Sequence, residues 1–69
     1  MKYRDIAKIL TANGFTLEST GKGSHRRFAG VVNGQNRKVT VPYHSRDIKP
    51  GTVGSIIRQS GLEKNLFRN

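Results

Sequence analysis

The dipeptide Asn33-Gly34 constrains the fold of this chain more than any other feature of its sequence. It lies between residues 24–32 and residues 37–41, two segments whose composition is typical of β-strands. Asn-Gly between two such segments is the strongest short-range signal for a two-residue β-hairpin turn. Pro42 stops the second strand, because proline has no N–H for a sheet ladder.

The length of this turn also predicts the register of the two strands. In that register the apolar side chains fall on one side of the sheet. A four-residue loop over residues 33–36 gives the same pairing, so the register does not depend on the turn type. The predicted pairs are Val32–Gln35, Phe28–Val39, Arg27–Thr40 and His25–Pro42.

Three further segments complete the predicted order of elements. Residues 3–13 and residues 52–60 carry apolar side chains at helical spacing, and each predicted helix is followed by a glycine suited to a left-handed cap. Residues 15–20 alternate between apolar and polar side chains, which is typical of a half-buried strand. The order is therefore helix, three strands, helix.

This order predicts one α+β domain over residues 1–69. The three strands form an antiparallel sheet, and both helices, each with a single apolar stripe, must cover the same face of it. The result is a two-layer sandwich whose other sheet face is open to solvent. The covered face is predicted to hold Phe15, Leu17, Phe28, Val32, Val39 and Val41, with Leu66 and Phe67 docked on the core. The open face is predicted to hold His25, Arg27, Lys38 and Thr40.

The charge balance of the chain indicates a polyanionic partner. Thirteen Lys and Arg against four Asp and Glu give a formal net charge of +9 on 69 residues. Self-repulsion of this size opposes compaction, so RNA or DNA is the leading partner, ahead of a solvated basic surface without a partner. The basic residues do not follow one amphipathic helix, which disfavours a membrane surface.

The absence of cysteine excludes disulfides and thiolate metal sites. A small secreted domain usually needs such staples, so we expect a reducing, cytoplasmic setting. No apolar run approaches the ~20 residues of a membrane span. Two histidines and Asp47 do not make a metal site, and we predict neither a metal nor another cofactor.

His25 is the strongest candidate for chemistry in this sequence. It lies in the segment from Lys22 to Arg46, which contains six Lys and Arg and no Asp or Glu. Metal-free cleavage of RNA needs a base for the 2′-hydroxyl, an acid for the leaving oxygen and cations for the phosphate. An imidazole can serve as base or acid near neutral pH. A basic surface built around His25 therefore allows cleavage as well as binding.

Several neighbours of His25 are candidates for holding the RNA, because arginine matches two phosphate oxygens and glycine lets a backbone approach a ligand closely. The predicted RNA-binding residues are Lys22, Gly23, Ser24, Arg26, Arg27, Lys38 and His44. Arg26 is alternatively an inward side chain at the sheet edge. His44 is alternatively the acid that complements His25 or an ordinary loop residue. Glu18 is either a surface charge or a partner for a basic neighbour or His25.

Three segments together resemble the HicA toxins, the RNA-cleaving partners of HicA–HicB toxin–antitoxin pairs. They are Gly23-Ser24-His25-Arg26-Arg27-Phe28, Val41-Pro42-Tyr43-His44 and residues 51–62. The resemblance implies a double-stranded-RNA-binding-like fold with the order α-β-β-β-α. It also implies metal-independent cleavage of mRNA and neutralisation by a cognate HicB-like antitoxin.

The resemblance assigns the catalytic role to His25, on which the family's motif histidine falls, and places the motif glycine and serine on Gly23 and Ser24. Many relatives have a second histidine where this chain has Arg26, which cannot replace it in proton transfer. His44 falls on a family histidine without an assigned role. A non-catalytic RNA-binding module of the same fold, or a domain for protein pairing, remains an alternative.

Overall fold

A computed structural model of the protein describes residues 1–19, 25–43 and 46–67. Its elements are helix α1 (Tyr3–Ala12), strands β1 (Thr16–Ser19), β2 (His25–Val32) and β3 (Gln35–Pro42), helix α2 (Pro50–Ser60) and a 3₁₀ turn (Lys64–Phe67). The predicted order α-β-β-β-α is confirmed. Helix α2 begins two residues earlier than predicted, because Pro50 suits the first helical position, where its φ is favourable and its missing N–H is not needed.

The β2–β3 hairpin forms through the predicted two-residue turn. Asn33 has φ 52° and Gly34 has φ 78°, the positive values that a type I′ turn requires. Gln35 already belongs to β3, so the four-residue loop does not form. All four predicted pairs, from Val32–Gln35 to His25–Pro42, are present in the antiparallel register.

The sheet has the strand order β1-β2-β3, and β1 is joined to β2 with an irregularity. Leu17 pairs with Phe28 and Ser19 pairs with Arg27, so Glu18 is an extra residue in the ladder. Such a β-bulge interrupts the strict alternation of side chains that the sequence predicts for residues 15–20.

The core lies between the helices and one face of the sheet, as predicted. Two expectations about it are wrong: Leu17 is 39% exposed, because β1 is an edge strand that the helices only partly cover, and Leu66 is 43% exposed on the 3₁₀ turn. Val32 is half-buried against the core, and Ile48, in the loop before α2, is buried although the sequence did not single it out. The buried apolar residues are Ile6, Leu10, Phe15, Phe28, Val39, Val41, Ile48, Ile56 and Phe67.

Helix α2 also satisfies the outer edge of β3. The backbone N–H of Thr40 donates to Oε1 of Gln59 at 3.0 Å, and Nε2 of Gln59 donates to Oγ of Ser55 at 3.1 Å. A helix side chain therefore caps an edge donor that the ladder leaves unpaired. Among the described residues, no helix is long and apolar enough to cross a membrane.

Candidate nucleic-acid interface

The candidate site lies at the end of the sheet opposite the hairpin turn. His25 is the first residue of β2 and pairs with Pro42, the last residue of β3. Its side chain is exposed. The expectation that this imidazole lies on the open side of the sheet, outside the core, is confirmed. A polymer lying across the sheet can therefore reach it without any rearrangement of the core.

Arg27 extends the site along β2. It lies two residues from His25 on the same face, is exposed, and pairs with the exposed Thr40. Alternate residues of a strand share a face about 7 Å apart. One ligand on the open face can therefore contact the imidazole of His25 and the guanidinium of Arg27 together.

Lys38 lies on the same face but nearer the hairpin turn. It pairs with Ala29 on β2, and its Nζ lies 3.4 Å from Oε1 of Glu18. The two side chains are 70% and 46% exposed, so the ion pair spans the sheet surface from β3 to β1. Of the three readings offered for Glu18, pairing with a basic neighbour is the one that the structure shows. We call the part of the open face that holds His25 and Arg27 the cationic half. The part nearer the turn, where Lys38 is paired with Glu18, is the neutralised half.

An open groove of about 330 Å³ lies in the neutralised half. Its lining does not include His25, and its most exposed apolar member, Val31, is 60% exposed. The groove therefore lies apart from His25 on the open face. The residues lining the groove are Glu18, Ala29, Gly30, Val31, Asn36, Arg37 and Lys38.

Arg26 does not share the open face with His25 and Arg27. It pairs with the buried Val41, is half-buried, and places its guanidinium carbon 3.6 Å from the ring centroid of Tyr43 and 5.6 Å from that of Tyr3. These distances are typical of cation–π contacts. The alternative in which Arg26 points inward is confirmed, although Arg26 lies near the end of the central strand rather than on an edge strand.

Four of the predicted RNA-binding residues lie outside the part of the chain that the structure describes: Lys22, Gly23, Ser24 and His44. Their roles stay predictions. They flank the described site in sequence, three directly before His25 and one directly after Tyr43. Within the described ranges, no three His, Asp or Glu side chains come close enough to hold a metal ion.

Sequence reasoning missed how the segment after β3 is held in place. The ring of Tyr43 packs edge-on against Tyr3, with centroids 4.7 Å apart and an interplanar angle of 87°. The backbone N–H of Ile48 donates to the carbonyl of Met1 at 2.7 Å. The rings of Tyr3 and Tyr43 therefore contact each other and the guanidinium of Arg26.

The fold and this surface define a class: a small α+β domain with helices on one sheet face and a partly cationic, solvent-exposed surface on the other. A sequence profile of the HicA toxin of bacterial toxin–antitoxin systems matches residues 3–62. The chain therefore belongs to the HicA toxin family and is a toxin of a toxin–antitoxin pair. Among curated proteins, none matches the chain significantly.

Proposed function

We propose that this toxin is a metal-independent endoribonuclease that cleaves mRNA, with His25 as its general acid or base. The observation that carries the proposal is the exposed imidazole of His25 on the same bare sheet face as the exposed guanidinium of Arg27. A chain with a net charge of +9 attracts RNA to this face at long range. Membership of a toxin family supports an activity that harms the cell when unopposed.

The proposed reaction is an internal transesterification. A base takes the proton of the ribose 2′-hydroxyl, and the 2′-oxygen forms a bond to the adjacent phosphorus. The bond from phosphorus to the 5′-oxygen breaks, and an acid gives that oxygen a proton. The products are a 2′,3′-cyclic phosphate and a 5′-hydroxyl. His25 can supply one of the two proton transfers, and His44 is the candidate for the other.

Arg27 has the second role in this proposal. During the reaction, negative charge grows on the equatorial oxygens of the five-coordinate phosphorus. A guanidinium held on the same face as the imidazole stabilises that charge and orients the phosphate through two parallel hydrogen bonds. The fixed geometry of a central strand keeps the two groups at a constant separation.

Glu18 is expected to limit how much RNA the open face binds. Its carboxylate competes with phosphate for Lys38, which lies 3.4 Å away. The variant Glu18→Gln should therefore bind single-stranded RNA roughly threefold more tightly. The plot of log affinity against log salt concentration should steepen by about 0.7, the value for one additional phosphate contact on a single strand. Titrations at several salt concentrations measure both quantities.

Glu63→Gln is the matched control for that experiment, because Glu63 is also exposed but lies beyond α2 in the chain and belongs to none of the three strands. Both variants change the net charge by one unit. Only Glu18→Gln releases Lys38, so only this variant should steepen the salt dependence by a full contact. Equal effects of the two variants would mean that Lys38 does not gain a phosphate when Glu18 is neutralised.

The proposal includes a HicB-like antitoxin as the partner that silences the toxin. The positive charge of the chain suggests that the antitoxin covers the cationic half of the open face, or His25 itself, with acidic side chains. Hydrogen exchange in the purified complex should then show protection at the start of β2. Inhibition with protection confined to the helices would contradict this placement.

The nuclease proposal is tested by incubating the purified chain with RNA in excess EDTA. We expect cleavage that EDTA does not diminish. Abolition of cleavage by EDTA would contradict the metal-independent mechanism. Salt-sensitive RNA binding without cleavage would instead support the non-catalytic module, and the absence of salt-sensitive binding would support a domain for protein pairing.

A further inference from the structure

Arg26 differs from its neighbours His25 and Arg27 in the surroundings of its charge. His25 and Arg27 lie on the open face, whereas Arg26 lies on the helix side, opposite Val41. Its guanidinium carbon is 3.6 Å from the centroid of Tyr43, so the charged plane is covered by an aromatic ring. Arg26 is also half-buried, whereas Arg27 is exposed, so the charge of Arg26 is less accessible to a phosphate.

Three separate parts of the chain meet at Arg26. Tyr3 begins α1, Arg26 is the second residue of β2, and Tyr43 directly follows β3. The ring of Tyr3 contacts both Tyr43, at 4.7 Å between centroids, and Phe28 in the core, at 6.3 Å. The contacts therefore connect the end of the sheet to the core through the first turn of α1. We call Tyr3, Arg26 and Tyr43 the cation–aromatic cluster.

This cluster lies at the end of the sheet where the pairing of β2 with β3 stops. Regular pairing of β2 with β3 ends at His25 and Pro42, and terminal residues of strands open more readily than central ones. Arg26 lies one residue inside that last pair on β2, and Tyr43 lies one residue beyond it after β3. It therefore encloses the pair that carries the imidazole.

We propose that Arg26 is a positioning residue: its stack on Tyr43 keeps the end of the sheet in one arrangement and thereby holds the imidazole of His25 in register with Arg27. This inference rests on the proposed nuclease function of His25. Arg26 thereby acts from beneath the sheet rather than as a phosphate ligand.

Removal of the charge at Arg26 should affect catalysis without affecting phosphate binding. Arg26→Met approximates the length of the side chain but loses the cation, and we expect kcat to fall about 10–10²-fold, because a misplacement of about 1 Å can cost up to about 10²-fold. KM and the salt dependence of RNA affinity should match those of the control Arg58→Met, which removes the same charge from an exposed position on α2. A salt slope shallower than the control's by about 0.7 would show that Arg26 is a phosphate ligand and would overturn the proposal.

Coupling between Arg26 and Tyr43 provides the second part of the test. Tyr43→Leu, which also removes the contact with Tyr3, should lower kcat at least as much as Arg26→Met does. The double variant should be no worse than Tyr43→Leu alone, because both changes remove the stack of Arg26 on Tyr43. Arg26→Lys and Tyr43→Phe should retain most of the activity, since each keeps a cation over an aromatic ring. Additive losses, or a kcat of Arg26→Met within twofold of the native value, would contradict the positioning role.

NMR separates this inference from the proposed function. In the native chain, the ring signals of His25 should form one sharp set. In Arg26→Met and Tyr43→Leu they should broaden or split, while in Arg26→Lys and Tyr43→Phe they should stay sharp. Unchanged His25 signals in all four variants would overturn the positioning role. If the native chain does not cleave RNA, the nuclease proposal fails, and these spectra still decide whether Arg26 orders the end of the sheet.

Discussion

Replacement of His25 by alanine is expected to lower kcat for RNA cleavage about 10²–10⁴-fold, the contribution typical of a positioned acid or base. RNA affinity should stay within about twofold of the native value, because the phosphate-binding cations are retained. The fold should also be retained, since His25 is exposed and lies outside the core. Single-turnover cleavage assays and RNA titrations on the same preparation separate these quantities.

Two further variants sharpen the His25 experiment. His25→Gln keeps a polar side chain that donates and accepts hydrogen bonds but cannot exchange protons, so it should be as inactive as His25→Ala. Arg27→Gln should instead weaken RNA binding and make its salt dependence shallower by about 0.7. Cleavage by His25→Ala within threefold of the native rate would remove His25 from the reaction, whatever the behaviour of Arg27.

Replacement of Phe28 by alanine should have the largest effect on stability. Phe28 is 2% exposed on the central strand, and its ring lies 6.3 Å from that of Tyr3. Truncation of a buried phenylalanine costs about 3–5 kcal/mol in lost transfer free energy and cavity formation. A domain of 69 residues has a total stability of only about 3–10 kcal/mol, so the variant should be largely unfolded at 37 °C.

Urea denaturation followed by circular dichroism measures this loss. Val31→Thr is the matched control, because Val31 lies on the same strand but is 60% exposed, and threonine keeps its β-branched shape. Its free energy of unfolding should stay within about 0.5 kcal/mol of the native value. A loss below about 1 kcal/mol for Phe28→Ala would mean that β2 does not pack against the helices as described.

The hairpin could be predicted almost completely from sequence because one dipeptide determines its geometry. The positive φ values at Asn33 and Gly34 specify a two-residue turn, and that turn determines every pair up to His25–Pro42. The exposure of His25 follows from this register by simple alternation. The central feature of the candidate site was therefore predictable from the sequence alone.

Burial at the margins of the domain could not be predicted in the same way. Alternation assigns Leu17 to a face of the sheet but does not indicate that the helices leave that edge uncovered. In the tail, Leu66 and Phe67 are adjacent and equally apolar, and only the 3₁₀ turn decides that Phe67 enters the core. Ile48 belongs to a loop without periodicity, so no sequence pattern predicts that its side chain is buried.

The partners of the site's charges also depend on tertiary structure. Alternation alone places Arg26 and Arg27 on opposite faces, but the stack of Arg26 on Tyr43 requires α1 to bring Tyr3 to the same place. The ion pair between Glu18 and Lys38 joins β1 to β3 across the central strand, and the sequence does not indicate which cation Glu18 contacts. Two cations that looked equivalent to Arg27 in sequence are therefore paired within the protein.

In the proposed mechanism, an exposed imidazole on a cationic sheet face promotes attack by the 2′-hydroxyl of the RNA on the adjacent phosphate. The most direct measurement compares, in excess EDTA, cleavage of an RNA and of the same RNA with a single 2′-deoxy substitution at the mapped cleavage site. The proposed mechanism predicts that the unmodified RNA yields a 2′,3′-cyclic phosphate and that the substituted bond stays intact. Cleavage of the substituted bond at a comparable rate would contradict the mechanism.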